Sequence, residues 1–136
     1  TPTPITALTA GSEYQIRVLV GIGFGLFGNS SVVTATPVGV PAAPSMNTPV
    51  VPSQAGQVDL SWVAPANNGS TIDRYEIQHK LASQSWDTVT PSTVLHPTTS
   101  TSITGLTAGS EYQFRVLAVN GFGSSSYSSV ETATPN

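Results

Sequence analysis

The sequence predicts an all-β protein, an antiparallel β-sandwich of about seven short strands preceded by part of a second one. Three observations carry this reading. Apolar and polar residues alternate along several short runs, the period of a strand with one face in a core. Polar turn sequences interrupt those runs roughly every 8–12 residues. And Ile5–Pro37 returns as Ile103–Pro135 at a constant offset of 98 residues, with 23 of 33 positions identical. A repeat of that quality makes one structural unit about 98 residues long. The chain of 136 residues therefore holds one whole unit and the end of a preceding one. No window of about 11 residues or more carries a 3.6-residue apolar period, so no helix is expected.

The elements follow in order. Residues 1–37 are expected to be the C-terminal part of an incomplete domain, its last three strands. Without the strands they would pack against, Tyr14, Ile16, Val18 and Phe24 keep only half a core, and three strands with half a core are marginal. Residues 38–44 read as a Pro-rich linker, with Pro41 and Pro44 fixing φ and favouring extended backbone. Residues 45–136 are expected to form the complete domain. Pro49 and Pro52 suit an edge strand, where a missing N–H breaks no ladder. Over Gln57–Val63, Val58, Leu60 and Trp62 share one face. Over Arg74–Lys80, Tyr75 and Ile77 alternate with Arg74, Glu76, Gln78 and Lys80. A short fourth strand is placed at Trp86. Over Glu111–Val119, Tyr112, Phe114, Val116 and Ala118 point inward, against Gln113, Arg115 and Leu117. The outward residues of these last two long strands are expected to form an ordinary solvated face, with Glu76 opposite Arg115 as a weak exposed pair.

Composition narrows the function classes. Charged residues are 8% of the chain, with 4 Lys+Arg against 7 Asp+Glu and a net charge of −3. So few cations cannot neutralise a phosphate backbone or hold anionic lipid, which argues against nucleic acid and membrane surfaces as partners. The longest apolar stretch, Ile16–Gly28, contains Arg17 and is too short for the ~20 residues of a spanning helix. The absence of cysteine removes disulfides, thiolate nucleophiles and zinc–cysteine sites.

Nor do the polar residues converge on a catalytic pattern. His79 takes inward parity near the end of its strand and reads as a half-buried histidine, since no second histidine stands at ligand spacing. His96 precedes Pro97 and reads as surface. The acids form no DxDxDG-type calcium loop, and no G-x-S-x-G elbow surrounds a serine. Gly21-Ile22-Gly23-Phe24-Gly25 lacks the lysine and following helix of a phosphate loop and reads as a hairpin turn. No catalytic, cofactor-binding or metal residue is assigned, no cofactor is expected, and the chain is not read as an enzyme.

Taken together, Pro41, Pro44, Pro49 and Pro52, then Leu60-Ser61-Trp62, Arg74-Tyr75-Glu76-Ile77, Leu106-Thr107-Ala108-Gly109-Ser110-Glu111-Tyr112 and Arg115–Gly123 stand in an order that resembles a fibronectin type III domain over residues 41–135. Residues 1–37 resemble strands E, F and G of the same family. The resemblance implies an immunoglobulin-like sandwich with Trp62, Tyr75, Ile77, Leu106, Tyr112, Phe114 and Val116 in the core. It also implies that Tyr112 forms the tyrosine corner before strand F, its hydroxyl bonded to backbone just upstream. The loops at one end, 67–71 and 120–126, would be the BC and FG loops, with Asn68, Ser70, Asn120 and Phe122 as candidate ligand residues. No Arg-Gly-Asp tripeptide occurs, so an adhesive loop of that kind is not carried over. The function implied is a non-catalytic tandem spacer or interaction module of a larger extracellular or cell-surface protein, with neighbouring modules of the same chain as its partners. The alternatives are a module binding carbohydrate or protein through the BC and FG loops, and an accessory module of a secreted enzyme.

Overall fold

The computed structural model describes residues 4–22, 25–29, 32–89 and 91–136, with the backbone alone at 19–22, 25–29 and 88. Phe24, expected in the half core, lies outside the described residues. The strands are β1 (Tyr14–Ile16), β2 (Leu19–Ile22), β3 (Gly25–Asn29), β4 (Val33–Ala35), β5 (Ser45–Met46), β6 (Val58–Val63), β7 (Arg74–Leu81), β8 (Ser92–Leu95), β9 (Ser100–Ile103), β10 (Tyr112–Asn120), β11 (Gly123–Ser124) and β12 (Glu131–Ala133).

From residue 45 onward the architecture is a two-layer antiparallel sandwich. One sheet runs β5-β6-β9. The other runs β11-β10-β7-β8, with β12 also on β10. Alternation on β6 puts Val58, Leu60 and Trp62 inside at 0%, 2% and 3% exposure. They meet Tyr75 and Ile77 of β7 and Phe114, Val116 and Ala118 of β10 in one core cluster, which also takes in Leu106 and Tyr112. The Trp62 and Tyr75 rings meet edge to face at 5.3 Å and 63°. Within this cluster the Trp62 indole Nε1 is buried with no hydrogen-bond partner.

The corner before β10 has the form that the resemblance implies. The Thr107 N–H donates to Tyr112 Oη at 3.0 Å. The Gly109 N–H donates to the Pro135 carbonyl, also at 3.0 Å, from a backbone at φ +78° that only glycine adopts without strain. The same corner recurs 98 residues earlier. Thr9 N–H donates to Tyr14 Oη at 2.9 Å, and Gly11 N–H to Pro37 O at 3.1 Å.

Between β11 and β12 the last edge of the sheet leaves the regular ladder, and two serines bridge the gap. Ser125 Oγ accepts from the Ala118 N–H at 2.9 Å and Ser128 Oγ from the Val116 N–H at 3.0 Å, both in buried surroundings. A buried N–H stripped of its acceptor costs about 1–3 kcal/mol. Ser128→Ala is therefore expected to destabilise the domain by about 1–2 kcal/mol, read as a lower urea midpoint at unchanged slope.

Several expectations are corrected. Trp86 does not sit on a strand; it opens a 3₁₀ turn, Trp86–Thr88, whose first turn is capped by the Ser85 side chain accepting from the Asp87 N–H. The strand expected there is β8, Ser92–Leu95. The first strand is only Ser45–Met46, and Pro49 and Pro52 follow it, where the chain keeps a single bridge between Val50 and Asp59. Among the described residues no strand precedes Tyr14, so strand E of the earlier segment is not among the described elements. In that segment β1 pairs with β4 and β2 with β3. Its Tyr14 and Ile16 are partly buried, whereas Ile5, Val18, Val32 and Val33 are 52–62% exposed.

Candidate functional site

The loops at the N-terminal pole of the sandwich carry the residues marked as candidate ligand contacts, and the structure brings them together around the chain's own linker. The β6–β7 loop turns at Asn67-Asn68-Gly69. Asn67 Oδ1 accepts from the Gly69 N–H at 3.0 Å, and Asn68 takes the left-handed conformation at φ +53°, which asparagine tolerates better than most residues. The linker lies along this turn. Gly39 N–H donates to Asn68 O and Ala42 N–H to Ala66 O, each at 3.0 Å. In return Asn68 Nδ2 donates to Val40 O at 2.9 Å.

Asn120, at the end of β10, ties the pole together and is only 3% exposed. Its Nδ2 lies 2.8 Å from Gly39 O, 3.0 Å from Asn67 O and 3.3 Å from Ser70 O. Its Oδ1 accepts from the Phe122 N–H at 2.9 Å. One amide thus joins the linker, the β6–β7 loop and the β10–β11 turn. Val40 packs near Gly123, and a Cβ placed on Gly69 would strike Val38 Cγ1. Of the four candidate loop residues, Asn68, Ser70 and Asn120 are engaged with the linker or with one another. Phe122 alone of the four faces solvent, at 57% exposure.

The sheet face expected to be solvated is covered instead. Gln78, Lys80 and Leu117 are 6–7% exposed. The register sets Arg115 opposite Gln78 and Glu76 opposite Leu117, so the expected Glu76–Arg115 pair does not form. Arg115 Nε donates to Gln78 Oε1 at 2.8 Å. Its guanidinium is sandwiched between the rings of Trp86 at 4.1 Å and Tyr127 at 3.8 Å, and Lys80 Nζ also stands over Trp86 at 4.9 Å. Glu76 reaches Arg74 at 3.6 Å. Sequence reasoning missed this stack, because Trp86 and Tyr127 reach the face from loops whose paths no alternation pattern specifies.

The two histidines have structural surroundings. His79 is partly buried beside Tyr112 and Phe114, with ring centroids 6.4 and 6.3 Å away. Desolvation pushes its pKa below the usual 6.5. The unfolded chain therefore takes up a proton first as pH falls, so stability held above about pH 6.5 is lost as pH drops through that value toward the folded pKa. His79→Gln is expected to flatten this loss when urea midpoints are compared at about pH 7.5 and 5.5. His96 is not plain surface, as Tyr75 Oη lies 3.0 Å from its Nδ1. Burial also raises the Tyr75 pKa.

Among the described residues no group of three His, Asp or Glu side chains is placed to hold a metal ion. An open cleft of about 350 Å³ is lined by Gln15, Ile16, Arg17 and Val32, which bring one cation and no acid or nucleophile. No helix among the described residues is long and apolar enough to cross a membrane.

A family model described as Fibronectin type III domain matches residues 42–134. The chain is 32% identical over 96 residues to the Xenopus laevis protein "Cell adhesion molecule-related/down-regulated by oncogenes", covering 68% of this chain and 7% of that protein. It is 31% identical over 83 residues to "Cell adhesion molecule Dscam1" of Drosophila melanogaster, covering 61% and 4%. It is 38% identical over 77 residues to mouse "Protein sidekick-1", covering 57% and 4%. The chain thus spans less than a tenth of the length of these relatives. Among solved structures, the chicken CNTN1 FN1-FN3 domains align with 96% of this chain and 45% of that one, at a TM-score of 0.58 and 19% identity. The C. elegans twitchin kinase region aligns with 71% of this chain and 17% of that one, at a TM-score of 0.60 and 27% identity.

Proposed function

Because the chain belongs to the fibronectin type III domain family, we propose that it is a non-catalytic tandem module of a larger extracellular or cell-surface protein. Its work is to hold neighbouring modules at a fixed spacing and angle. The observation that carries this reading is the linker, which is hydrogen-bonded along the pole loops through Gly39, Val40 and Ala42 and clasped by Asn120. A linker bonded in this way transmits orientation, whereas a free linker would only tether. The relatives named as cell adhesion molecules support placement at a cell surface. Residues 1–37 are, in this reading, the end of the preceding module.

Small-angle scattering from the whole chain tests it. One fixed arrangement is expected to fit the profile at low and high salt, with Asn68→Ala broadening the distribution of distances. A wild-type profile that already requires many joint angles would overturn the spacer role.

The exposure of Phe122, 57%, favours a second reading in which the β10–β11 turn contacts a protein or carbohydrate. A ligand found by array screening whose affinity survives Phe122→Ala would count against it.

A further inference from the structure

We propose that Asn68 is a site of spontaneous modification, converting through a succinimide to aspartate and isoaspartate, and that this conversion releases the linker from the β6–β7 loop. The site stands on the loop's own chemistry, while its consequence for the linker rests on the fixed-joint reading above.

The chemistry requires an asparagine followed by a residue whose backbone nitrogen can reach the side-chain carboxamide. Glycine serves best, because it has no Cβ to obstruct the approach and its backbone turns most freely. Of the six asparagines, only Asn68 and Asn120 precede glycine, as Asn68-Gly69 and Asn120-Gly121. The Gly69 nitrogen attacks Asn68 Cγ and gives up its proton, and the carboxamide nitrogen leaves as ammonia. Water then opens the five-membered imide. Cleavage of the bond to Cγ gives aspartate; cleavage of the bond to the main-chain carbonyl carbon gives isoaspartate, with one more carbon in the backbone. No oxidant or reductant takes part.

The structure separates the two pairs. Asn120 is 3% exposed, and its carboxamide is held by Gly39 O, Asn67 O, Ser70 O and the Phe122 N–H. Turning that group toward the Gly121 nitrogen breaks these contacts together, so ring closure waits on an opening of the pole. Asn68 is only partly buried and Gly69 is exposed. Among the described residues the Asn68 carboxamide makes one hydrogen bond, from Nδ2 to Val40 O at 2.9 Å. The Gly69 N–H stands outside any strand ladder and points at a side-chain oxygen, Asn67 Oδ1 at 3.0 Å. The two dipeptides are alike in sequence; burial and bonding lock one and leave the other perishable.

The perishable one grips the linker. As an aspartate, position 68 has no proton to give the Val40 carbonyl, and a carboxylate faces that oxygen instead. As isoaspartate, the longer backbone also displaces the main-chain oxygen that accepts from the Gly39 N–H and moves Gly69, which lies against Val38. Asn120 still holds Gly39 O, so the linker keeps its inner attachment and loses its outer one.

The test holds the whole chain in warm neutral buffer and follows digested samples by mass spectrometry for the amide-to-acid mass gain, with an isoaspartyl methyltransferase to count isoaspartate. Cleavage after Arg17, Arg74 and Arg115 puts Asn68 and Asn120 on different peptides. Conversion at Asn68 is expected to outrun that at Asn120 by more than about tenfold, the ratio given by about 1.4 kcal/mol of extra opening cost at Asn120. In urea the two should convert at similar rates. Native rates that are equal, or faster at Asn120, would overturn the site. Asn68→Asp reads the consequence, as hydrogen exchange at the Gly39 amide is expected to rise several-fold in this variant and in the converted chain. A Gly39 amide unchanged in both would overturn the release of the linker. Small-angle scattering separates the two readings. A wild-type profile that requires many joint angles removes the spacer role and the release with it, while unequal conversion of the two asparagines still establishes the site.

Discussion

Asn120→Ala is expected to destabilise the domain by about 2–4 kcal/mol and to free the linker. The size follows from what the amide holds. Its nitrogen serves three carbonyl oxygens and its oxygen the Phe122 N–H, in a site almost closed to water. Truncation strips partners from several of these groups at once, at about 1–3 kcal/mol for each one left buried and unpaired. Asn120→Asp should be worse than alanine, because a carboxylate would face three carbonyl oxygens with no proton to give. Urea unfolding reads the stability, and hydrogen exchange at the Gly39 amide, now bonded to Asn68 O, reads the linker. A loss below about 0.5 kcal/mol with Gly39 still protected would mean that the clasp does not hold the joint. The earlier segment carries Ile22 at the position corresponding to Asn120, so the residue that makes this clasp is not repeated there.

The other large effect is expected at Trp62. Trp62→Ala should cost about 3–5 kcal/mol, the range for emptying a large aromatic site in a packed core. Trp62→Phe should cost only about 1–2 kcal/mol. Phenylalanine keeps much of the edge contact with Tyr75, and the indole N–H it removes has no hydrogen bond to lose. Denaturant midpoints of the two variants check the ordering. Equal losses would show that the indole N–H is satisfied in solution, by water or by a shifted carbonyl.

The core was legible in the sequence because a strand's two-residue period assigns faces without reference to anything distant. Val58, Leu60 and Trp62, or Tyr112, Phe114 and Val116, need only their own spacing to be placed on one side. The second face of the β7–β10 pair was not legible for the same reason. Period two says that Gln78, Lys80, Arg115 and Leu117 share a side, but not that Trp86 and Tyr127 fold over it from loops. The Arg115 pairing went astray by two residues along β7, because cross-strand partners depend on register, which a single strand's pattern leaves open.

The pole loops divide along the same line. Asn67-Asn68-Gly69 and Asn120-Gly121 announced turns through local chemistry, since asparagine and glycine reach conformations that other residues avoid. What those turns touch depends on a linker more than 25 residues away from one and about 80 from the other. By itself, then, the sequence determined the all-β class and the inward faces of the long strands, which rest on residues near one another in the chain, and the repeat, which direct comparison of two segments reveals. Only the tertiary structure decided that the second sheet face is roofed by Trp86, Arg115 and Tyr127, and that the candidate ligand loops grip the chain's own linker. Both depend on groups far apart in sequence meeting in space, and no local periodicity encodes where a loop comes to rest.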